Sequence, residues 1–252
     1  MNTSYLSLLI QRQAQKYGER VALKYRDYAT STWIPVSWNQ FSEKVSKVSR
    51  ALVALGVQAQ ENIGVFSQNK PECLYTDFGA FGVRAVTVPL YATSSEAQVH
   101  YILQDAAIRF LFVGEQYQYD VASRVQNLCH TLKRIIVFDS SVKLAPGDTN
   151  SLYYEDFLAL GDNMELQQQV DKLTAESSPQ DLANILYTSG TTGESKGVML
   201  HHSCYEAAFK AHHGRLTTLG EQDVVMNFLP FTHIFERAWV ILLSGPGMCI
   251  MH

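Results

Sequence analysis

The sequence predicts an α/β fold in which βαβ units form layers around a parallel sheet. Short apolar runs, such as 63–66, 110–113 and 134–138, alternate with segments of ten or more residues that have helical periodicity. That alternation is typical of βαβ units. A length of 252 residues with 46% hydrophobic residues is enough to bury a sizeable core.

The N-terminal segment predicts a helix, a hairpin and a second helix. Apolar positions at helical spacing come first, from Tyr5 to Ala14, and predict a helix that ends near Gly18. Two β-like runs, 21–25 and 32–36, flank a polar turn and predict an N-terminal hairpin. Ser37 and Gln40 have the spacing of a capping box, so we expect a long second helix to begin there.

The rest of the chain alternates between expected strands and expected helices. Strands are expected at 63–66, 85–90, 110–113, 134–138, 183–187, 197–200, 224–229 and 248–251. Helices are expected at 71–83, 95–107, 116–130, 153–160, 203–217 and 233–243, with an exposed helix or connector at 165–178. The polar segment 139–150 contains a Pro-Gly pair and is expected to be a loop.

Composition argues against several classes of protein. The net charge of −4 does not favour nucleic-acid binding, which requires a basic surface. The four cysteines are far apart without a C-x-x-C pair, which indicates thiols in a reducing cytoplasm. The N-terminal residues lack the pattern of a signal peptide, and no apolar run approaches the roughly 18 residues of a membrane span. We therefore expect a cytoplasmic protein, for which peripheral contact with a membrane stays open.

The segment from Thr188 to Gly197 concentrates groups that bind phosphate. It contains three Gly, three Thr, two Ser and one Lys, and apolar runs lead into it and out of it. Glycines let the backbone approach a ligand closely, successive N–H groups form an anion nest, and Lys196 adds a positive charge. A Walker A loop is excluded because Ser195 rather than Gly precedes the lysine. The alternative is a flexible Gly/Ser/Thr linker, but β-like runs on both sides disfavour it.

This segment resembles the phosphate-loop signature of the AMP-forming adenylating enzymes, which include acyl-CoA synthetases, adenylation domains of peptide synthetases and beetle luciferases. The family pattern is Tyr-Thr-Ser-Gly-Thr-Thr-Gly, two variable positions, then Lys-Gly-Val. The chain matches it from Tyr187 to Gly193 and again from Lys196 to Val198. It departs at Ser195, where the family usually has Pro, and Glu194 brings a carboxylate close to the expected phosphates. The resemblance implies the N-terminal domain of this family, which fits the hairpin and the alternating units.

The resemblance also implies that the protein uses ATP and Mg²⁺, with coenzyme A as a co-substrate. It further implies roles for individual residues. Lys196 is implied as a catalytic residue that contacts the phosphates, and Thr188 as the hydroxyl that touches the metal ion. The nucleotide-binding set implied by the motif is Thr188, Ser189, Gly190, Thr191, Thr192, Gly193 and Lys196.

A second motif, Leu-Pro-x-x-His-x-x-Glu-Arg at 229–237, resembles the long-chain fatty acyl-CoA synthetase branch. In that branch the histidine lies at the mouth of the acyl site, so His233 is implied as catalytic and substrate-binding, and Glu236 as substrate-binding. Pro230 is expected to end a strand, which would place the next residues in the crevice at the carboxyl edge of the sheet. The alternative is that His233 only caps the start of a helix.

Other polar residues carry weaker signals. The pairs His201-His202 and His212-His213 do not match a zinc pattern, so metal binding by them is disfavoured. Tyr91 and Tyr101 suit either an acyl pocket or, more commonly, a core. Lys70 and Arg84 lie in no motif and are expected to be solvated charges.

Several family elements are not found in residues 1–252. They are an acidic residue that helps to hold magnesium, an Asp that holds the ribose and a C-terminal lid with a catalytic Lys. We therefore expect residues 1–252 to be an incomplete N-terminal AMP-binding domain without its lid domain. We also expect it to be inactive alone in thioester formation.

The expected reaction of the whole protein is ATP-dependent activation of a long- or medium-chain fatty acid and its transfer to coenzyme A. Three alternatives stay open. They are an adenylating domain for amino acids or aryl acids, a luciferase-type oxygenase, and a phosphate-binding fragment without turnover.

Overall fold

The computed structural model describes residues 5–28, 30–188, 195–213, 215–244 and 249–251. The helices in these ranges are α1 (Tyr5–Tyr17), α2 (Trp38–Ala54), α3 (Pro71–Gly82), α4 (Glu96–Asp105), α5 (Gln116–Gln126), α6 (Tyr154–Leu160), α7 (Gln167–Ala175), α8 (His202–His213) and α9 (Ile234–Ser244). The strands are β1 (Val21–Asp27), β2 (Thr32–Ser37), β3 (Asn62–Phe66), β4 (Val86–Leu90), β5 (Phe110–Val113), β6 (Arg134–Val137), β7 (Ser151–Tyr153), β8 (Leu182–Thr188), β9 (Lys196–His201), β10 (Val224–Met226) and β11 (Cys249–Met251).

The described strands form two sheets. The larger has seven strands in the order β7-β6-β5-β3-β4-β8-β9. Its strands pair in parallel from β7 through β8, and β9 returns antiparallel to β8. The predicted α/β class with parallel βαβ units is therefore confirmed.

The predicted hairpin forms, but it belongs to the second sheet. β1 and β2 pair antiparallel, and β1 also pairs in parallel with β11, which continues to β10. The sheet order is therefore β10-β11-β1-β2. The partner of β1 comes from the far end of the described chain, so the local pattern of the hairpin does not reveal it.

The direction of strand addition reverses beside β3. Its next strand in sequence, β4, lies on one side, and the following strand, β5, lies on the other. The loops after β3 and β5 therefore leave the sheet in opposite directions and open a crevice at the carboxyl edge. Ligands bind at such a crevice in open α/β sheets.

Local capping residues explain where two of the helices begin. The Ser37 hydroxyl accepts a hydrogen bond from the Gln40 N–H at 3.2 Å, and the Gln40 side chain accepts from the Ser37 N–H at 2.8 Å. Ser95 and Gln98 repeat this arrangement at the start of α4, with distances of 3.4 and 2.9 Å. Both capping boxes satisfy N–H groups that a helix start leaves without partners.

Helices cover both faces of the large sheet and bury a core on each. On one face, α1, α2, α3 and α6 supply aromatic residues such as Trp38, Phe41 and Phe157, each fully buried. On the other face, α4 and α5 pack Leu103 and Tyr119 against the sheet. The large sheet therefore lies between two cores, each closed by helices.

Some boundaries differ from the sequence predictions. The three-residue strand β7 was not predicted, because so short a run has no clear periodicity, and its last residue, Tyr153, was expected to begin a helix. The helices predicted at 116–130 and 203–217 end at Gln126 and His213, and the strand predicted at 224–229 ends at Met226. Element ends have the weakest local signals.

His202, the first residue of α8, predicts a pH dependence of stability. Its side chain is fully buried, with its ring edge-on to Phe81 at 5.2 Å, and burial lowers its pKa to about 4. The unfolded chain takes up a proton near pH 6.5, whereas the folded chain resists it until about pH 4. We therefore expect this group's contribution to be constant above pH 6.5 and to fall by about 3 kcal/mol towards pH 4.

Urea unfolding of wild type and His202→Gln between pH 7 and 4.5 tests this expectation. The variant should lose less free energy of unfolding on acidification than the wild type. His130→Gln, at an exposed position, is the matched control and should keep the wild-type slope. Equal slopes for wild type and His202→Gln would contradict the assignment.

Candidate functional site

The two described ends of the predicted phosphate loop face each other at the carboxyl edge of β8. In the β8–β9 ladder Thr188 pairs with Lys196, and Tyr187 pairs with Gly197. Both Thr188 and Lys196 are exposed. β8 is parallel to β4, so this edge is also the one where the crevice beside β3 opens. With strands about 4.8 Å apart, the ends of β3 and β8 lie about 10 Å from each other across the edge.

The middle of the loop lies outside the described residues. The predicted phosphate-binding residues concerned are Ser189, Gly190, Thr191, Thr192 and Gly193, together with the neighbouring Glu194. Their roles stay predictions.

Two tyrosines hold the ends of the hairpin against α4. The Tyr187 hydroxyl donates to the Asp105 carboxylate at 2.5 Å, and the Tyr101 hydroxyl donates to the Ser195 carbonyl at 3.0 Å. The two rings pack edge-on at 6.3 Å. Burial and the bond to Asp105 raise the pKa of Tyr187. Tyr101 therefore positions the residue just before Lys196, a role that its sequence context did not indicate.

Gly197 has a steric reason to be glycine. A Cβ atom at this position would lie 2.8 Å from Ile185 Cγ2 and 3.2 Å from Tyr187 Cζ. Distances below 3 Å require something to shift, so a larger residue would push β9 away from β8. Glycine after Lys196 therefore allows β9, which begins at Lys196, to pack directly against the Tyr187 ring.

A buried amide connects the hairpin to the sheet behind it. Asn184 of β8 is fully buried, and its Nδ2 donates to the Thr87 hydroxyl at 2.5 Å. Its Oδ1 accepts from the Tyr205 hydroxyl of α8 at 2.6 Å. This residue therefore joins β4, β8 and α8 at one point.

The second motif follows β10 and includes the start of α9. The strand ends at Met226, and the backbone turns so that the His233 N–H donates to the Pro230 carbonyl at 2.9 Å. His233 is exposed and directly precedes α9, and its Nδ1 accepts from the Phe235 N–H at 3.3 Å. It therefore caps the helix start. In the neutral ring this contact leaves Nε2 as the N–H donor, so capping does not compete with a binding role.

Arg237 anchors this motif to α3. Its side chain is 3% exposed, and its guanidinium donates to the Asp77 carboxylate through Nη1 and to the Phe231 carbonyl through Nε at 2.8 Å. Charges this deeply buried need a partner, and Asp77 provides it. The pair therefore fixes the residues before His233 relative to the large sheet.

Glu236 lies on the buried side of the same turn. It is 4% exposed, and burial raises the pKa of its carboxyl group against the opposing effect of the Leu229 and Phe228 N–H groups. Both N–H groups belong to the residues just before the turn. Its predicted contact with substrate stays a prediction.

A cavity of about 1110 Å³ opens at the carboxyl edge beside β3. Residues from the loops after four strands and from the second motif line it, among them Asn69, Lys70, Tyr91, Glu115, Asp139 and Phe231. Lys70 Nζ lies 3.4 Å from Glu115 and 4.0 Å from Asp139, and its side chain is 24% exposed. The prediction of a solvated charge is therefore wrong for Lys70, which bridges the loops after β3, β5 and β6.

The prediction is also wrong for Arg84. Its Nε lies 2.9 Å from the Asp181 carboxylate, and Glu176 lies 3.6 Å from its Nη1. Each partner is more than 90 residues away in sequence, so no local motif reveals either contact.

The described residues contain one predicted magnesium ligand and no metal cluster. No group of three or more His, Cys, Asp or Glu side chains in the described ranges is suited to hold an ion. His202 is buried against Phe81, and His201 Nδ1 lies 2.6 Å from the Gln180 carbonyl. Mg²⁺ prefers oxygen ligands and retains waters and phosphates, so the exposed Thr188 hydroxyl fits as one ligand of a nucleotide-bound ion.

Comparison with protein families and curated relatives agrees with this geometry. A family profile described as AMP-binding enzyme matches residues 10–252. The chain is 29% identical over 243 residues to long-chain-fatty-acid–CoA ligase ACSBG2 of Xenopus laevis, covering 94% of this chain and 32% of the relative. It is 32% identical over 218 residues to fatty acyl-CoA synthetase A of Dictyostelium discoideum, covering 84% of this chain and 31% of the relative. The chain thus spans about a third of the length of these relatives.

Solved structures share the fold over the whole chain. The anthranilate CoA ligase AuaEII, solved with anthranoyl-AMP, superposes with a TM-score of 0.84 at 21% identity, covering 100% of this chain and 45% of that protein. A long-chain-fatty-acid–CoA ligase from Archaeoglobus fulgidus gives 0.73 at 22% identity, covering 99% and 47%. At these identities the likeness establishes the fold.

The buried Arg237–Asp77 pair predicts a large loss of stability when one partner is removed. Asp77→Leu leaves a guanidinium charge without its partner, and we expect it to lower the free energy of unfolding by about 3–5 kcal/mol. Asp77→Leu combined with Arg237→Met should cost less than the sum of the two single variants, because neither charge is then left unpaired.

Urea unfolding curves of the four proteins check this. Arg124→Ala removes an exposed pair with Glu96 and should cost less than about 1 kcal/mol. Strict additivity of the single variants would show that Arg237 and Asp77 do not depend on each other.

Proposed function

Because the chain belongs to the AMP-binding enzyme family, we propose that the whole protein containing it activates a fatty acid through an acyl-adenylate and transfers it to coenzyme A. The proposal is supported by the family match to residues 10–252 and by relatives that are named as fatty-acid–CoA ligases. The observation that carries it is the β8–β9 hairpin, which presents the ends of a phosphate-loop motif at the carboxyl edge of the sheet.

In the first step of the proposed reaction, a carboxylate oxygen attacks the α-phosphorus of ATP. The bond from that phosphorus to the bridging oxygen breaks, and pyrophosphate leaves with the electron pair. Negative charge grows on the departing pyrophosphate, so groups already aimed at it lower the barrier. Lys196 supplies a positive charge at this position, and the hydroxyls of Thr188, Ser189, Thr191 and Thr192 supply donors, together with the Gly190 and Gly193 amides.

In the second step, the coenzyme A thiolate attacks the acyl carbonyl carbon and AMP leaves. Activation is needed because a free carboxylate is a poor acyl donor. A bound Mg²⁺ ion would neutralise phosphate charge, and Thr188 would be one of its ligands.

His233 is proposed to bind the reacting carboxyl group. Its Nδ1 already accepts a bond from the Phe235 N–H, so the neutral ring offers the Nε2 proton to a carboxylate oxygen. Its exposure beside the carboxyl-edge cavity supports this role. Glu236 is proposed to contribute to substrate binding in the same region.

The proposed location is the cytoplasm. All four cysteines lie in the described ranges and are free thiols, which suits a reducing compartment. Every helix in the described ranges is too short or too polar to cross a bilayer.

Replacing Lys196 tests the proposed phosphate site. In the full-length protein we expect Lys196→Ala to slow adenylate formation on the order of a hundred-fold, because it removes a charge that faces the leaving group. The measurement is fatty-acid-dependent exchange of labelled pyrophosphate into ATP. Lys172→Ala, on the exposed face of α7, is the matched control and should exchange at the wild-type rate. An unchanged rate in Lys196→Ala would remove Lys196 from the site.

Acyl selectivity tests the proposed substrate. Each buried methylene contributes roughly 0.8 kcal/mol, so a site with apolar walls builds up preference over successive carbons. We expect kcat/KM to rise along a series of saturated acids and to be highest for a medium or long chain. A maximum for acetate, an aromatic acid or an amino acid would favour another branch of the family. Light emission would indicate a luciferase-type oxygenase.

A further inference from the structure

We propose that Asn69 is a positioning residue that holds the turn carrying His233 in its reactive geometry. Asn69 lies in the loop between β3 and α3, at the carboxyl edge where the strand order reverses. It is 160 residues or more from the turn in sequence, but its side chain touches that turn directly. The inference rests on the proposed function of His233 and extends it to a residue outside both sequence motifs.

The contact uses both polar atoms of the Asn69 amide. Nδ2 donates to the Leu229 carbonyl at 2.7 Å, and Oδ1 accepts from the Phe231 N–H at 3.0 Å. These two backbone groups flank Pro230, which has no N–H to donate. The side chain therefore makes the two backbone hydrogen bonds that a residue of a neighbouring strand would make. It does so in the turn that follows the end of β10.

Side chains hold the backbone on both sides of this contact. Asn69 binds the Phe231 N–H, and Arg237 binds the Phe231 carbonyl at 2.8 Å while it is paired with Asp77. Hydrogen bonds also connect the residues that follow. The His233 N–H donates to the Pro230 carbonyl, and the His233 carbonyl accepts from the Arg237 N–H at 3.1 Å. A shift at Phe231 is therefore passed to His233 through hydrogen bonds rather than absorbed by a flexible loop.

Asn69 and the Arg237–Asp77 pair hold the turn from different sides. Arg237 and Asp77 are almost fully buried and secure the turn from within the core. Asn69 is half-buried and lines the cavity beside the crevice, so it acts from the side on which substrate is proposed to bind. Removal of Asn69 should therefore change the geometry of the site with little effect on the stability of the whole fold.

The first test measures the contact without relying on activity. Amide hydrogen exchange is followed over residues 228–235 in wild type, Asn69→Ala and Asn69→Asp. Both variants should exchange faster in this turn, by about ten-fold or more in Asn69→Ala, with little change in Tm. Asn127→Ala, an exposed asparagine at the end of α5, is the matched control and should exchange as wild type does. Unchanged exchange in Asn69→Ala would overturn the proposal.

The second test links the contact to His233. In the full-length protein, Asn69→Ala should lower kcat for acyl-adenylate formation on the order of 10- to 100-fold, because small displacements of a reacting group are costly. The KM for ATP should stay within two-fold of wild type. In a His233→Ala background, Asn69→Ala should have little further effect, whereas fully additive losses would contradict a role through His233.

The two tests separate the inference from the proposed function. If the wild-type protein adenylates no carboxylic acid, the proposed function fails and the reactive role of Asn69 fails with it, while the exchange data still decide whether the contact exists. If wild type is active and Asn69→Ala is equally active, the proposed function stands and the positioning role is overturned.

Discussion

The amide of Asn184 is the interaction on which the geometry of the candidate site depends. It is fully buried between β4, β8 and α8, where its Nδ2 donates to Thr87 and its Oδ1 accepts from Tyr205. A buried amide without partners is costly, so satisfying both of its atoms restricts how β8 can lie against the parallel strands. The position of β8 in turn determines where the β8–β9 hairpin presents Thr188 and Lys196.

Side chains from the helices on the two faces of the sheet hold the two motifs. Asp105 and Tyr101 of α4 hold the hairpin from one face. Asp77 of α3 holds the turn before His233 from the other face, through Arg237. A nucleotide bound at the hairpin and an acyl group bound near His233 would therefore contact two different elements. Each of these elements is supported by helices on a different face of the sheet. This arrangement fixes His233, which lies beyond the end of β10, and the last pair of the β8–β9 ladder, Thr188 and Lys196, relative to the large sheet.

The sequence predicted features that depend on neighbours in the chain. Ser37 and Gln40, which form a capping box, are only three positions apart in the chain. The strands β3, β5 and β6 come from short apolar runs, which are typical of buried parallel strands. It did not predict contacts between distant segments. Lys70 and Asn69 carry no motif, and their partners appear only once the strand order brings the loops together. The pairing of β1 with β11 was missed for the same reason.

A crystal structure of the full-length protein with Mg²⁺ and ATP would show whether the β8–β9 hairpin holds the phosphates. We expect the β- and γ-phosphates to lie between Thr188 and Lys196, with oxygen atoms within hydrogen-bond distance of the Lys196 ammonium group. We also expect the α-phosphorus to face the side of the edge where His233 lies. Phosphates bound elsewhere, for example beside Lys70 with the β8–β9 hairpin left without a ligand, would contradict the proposed role of the hairpin.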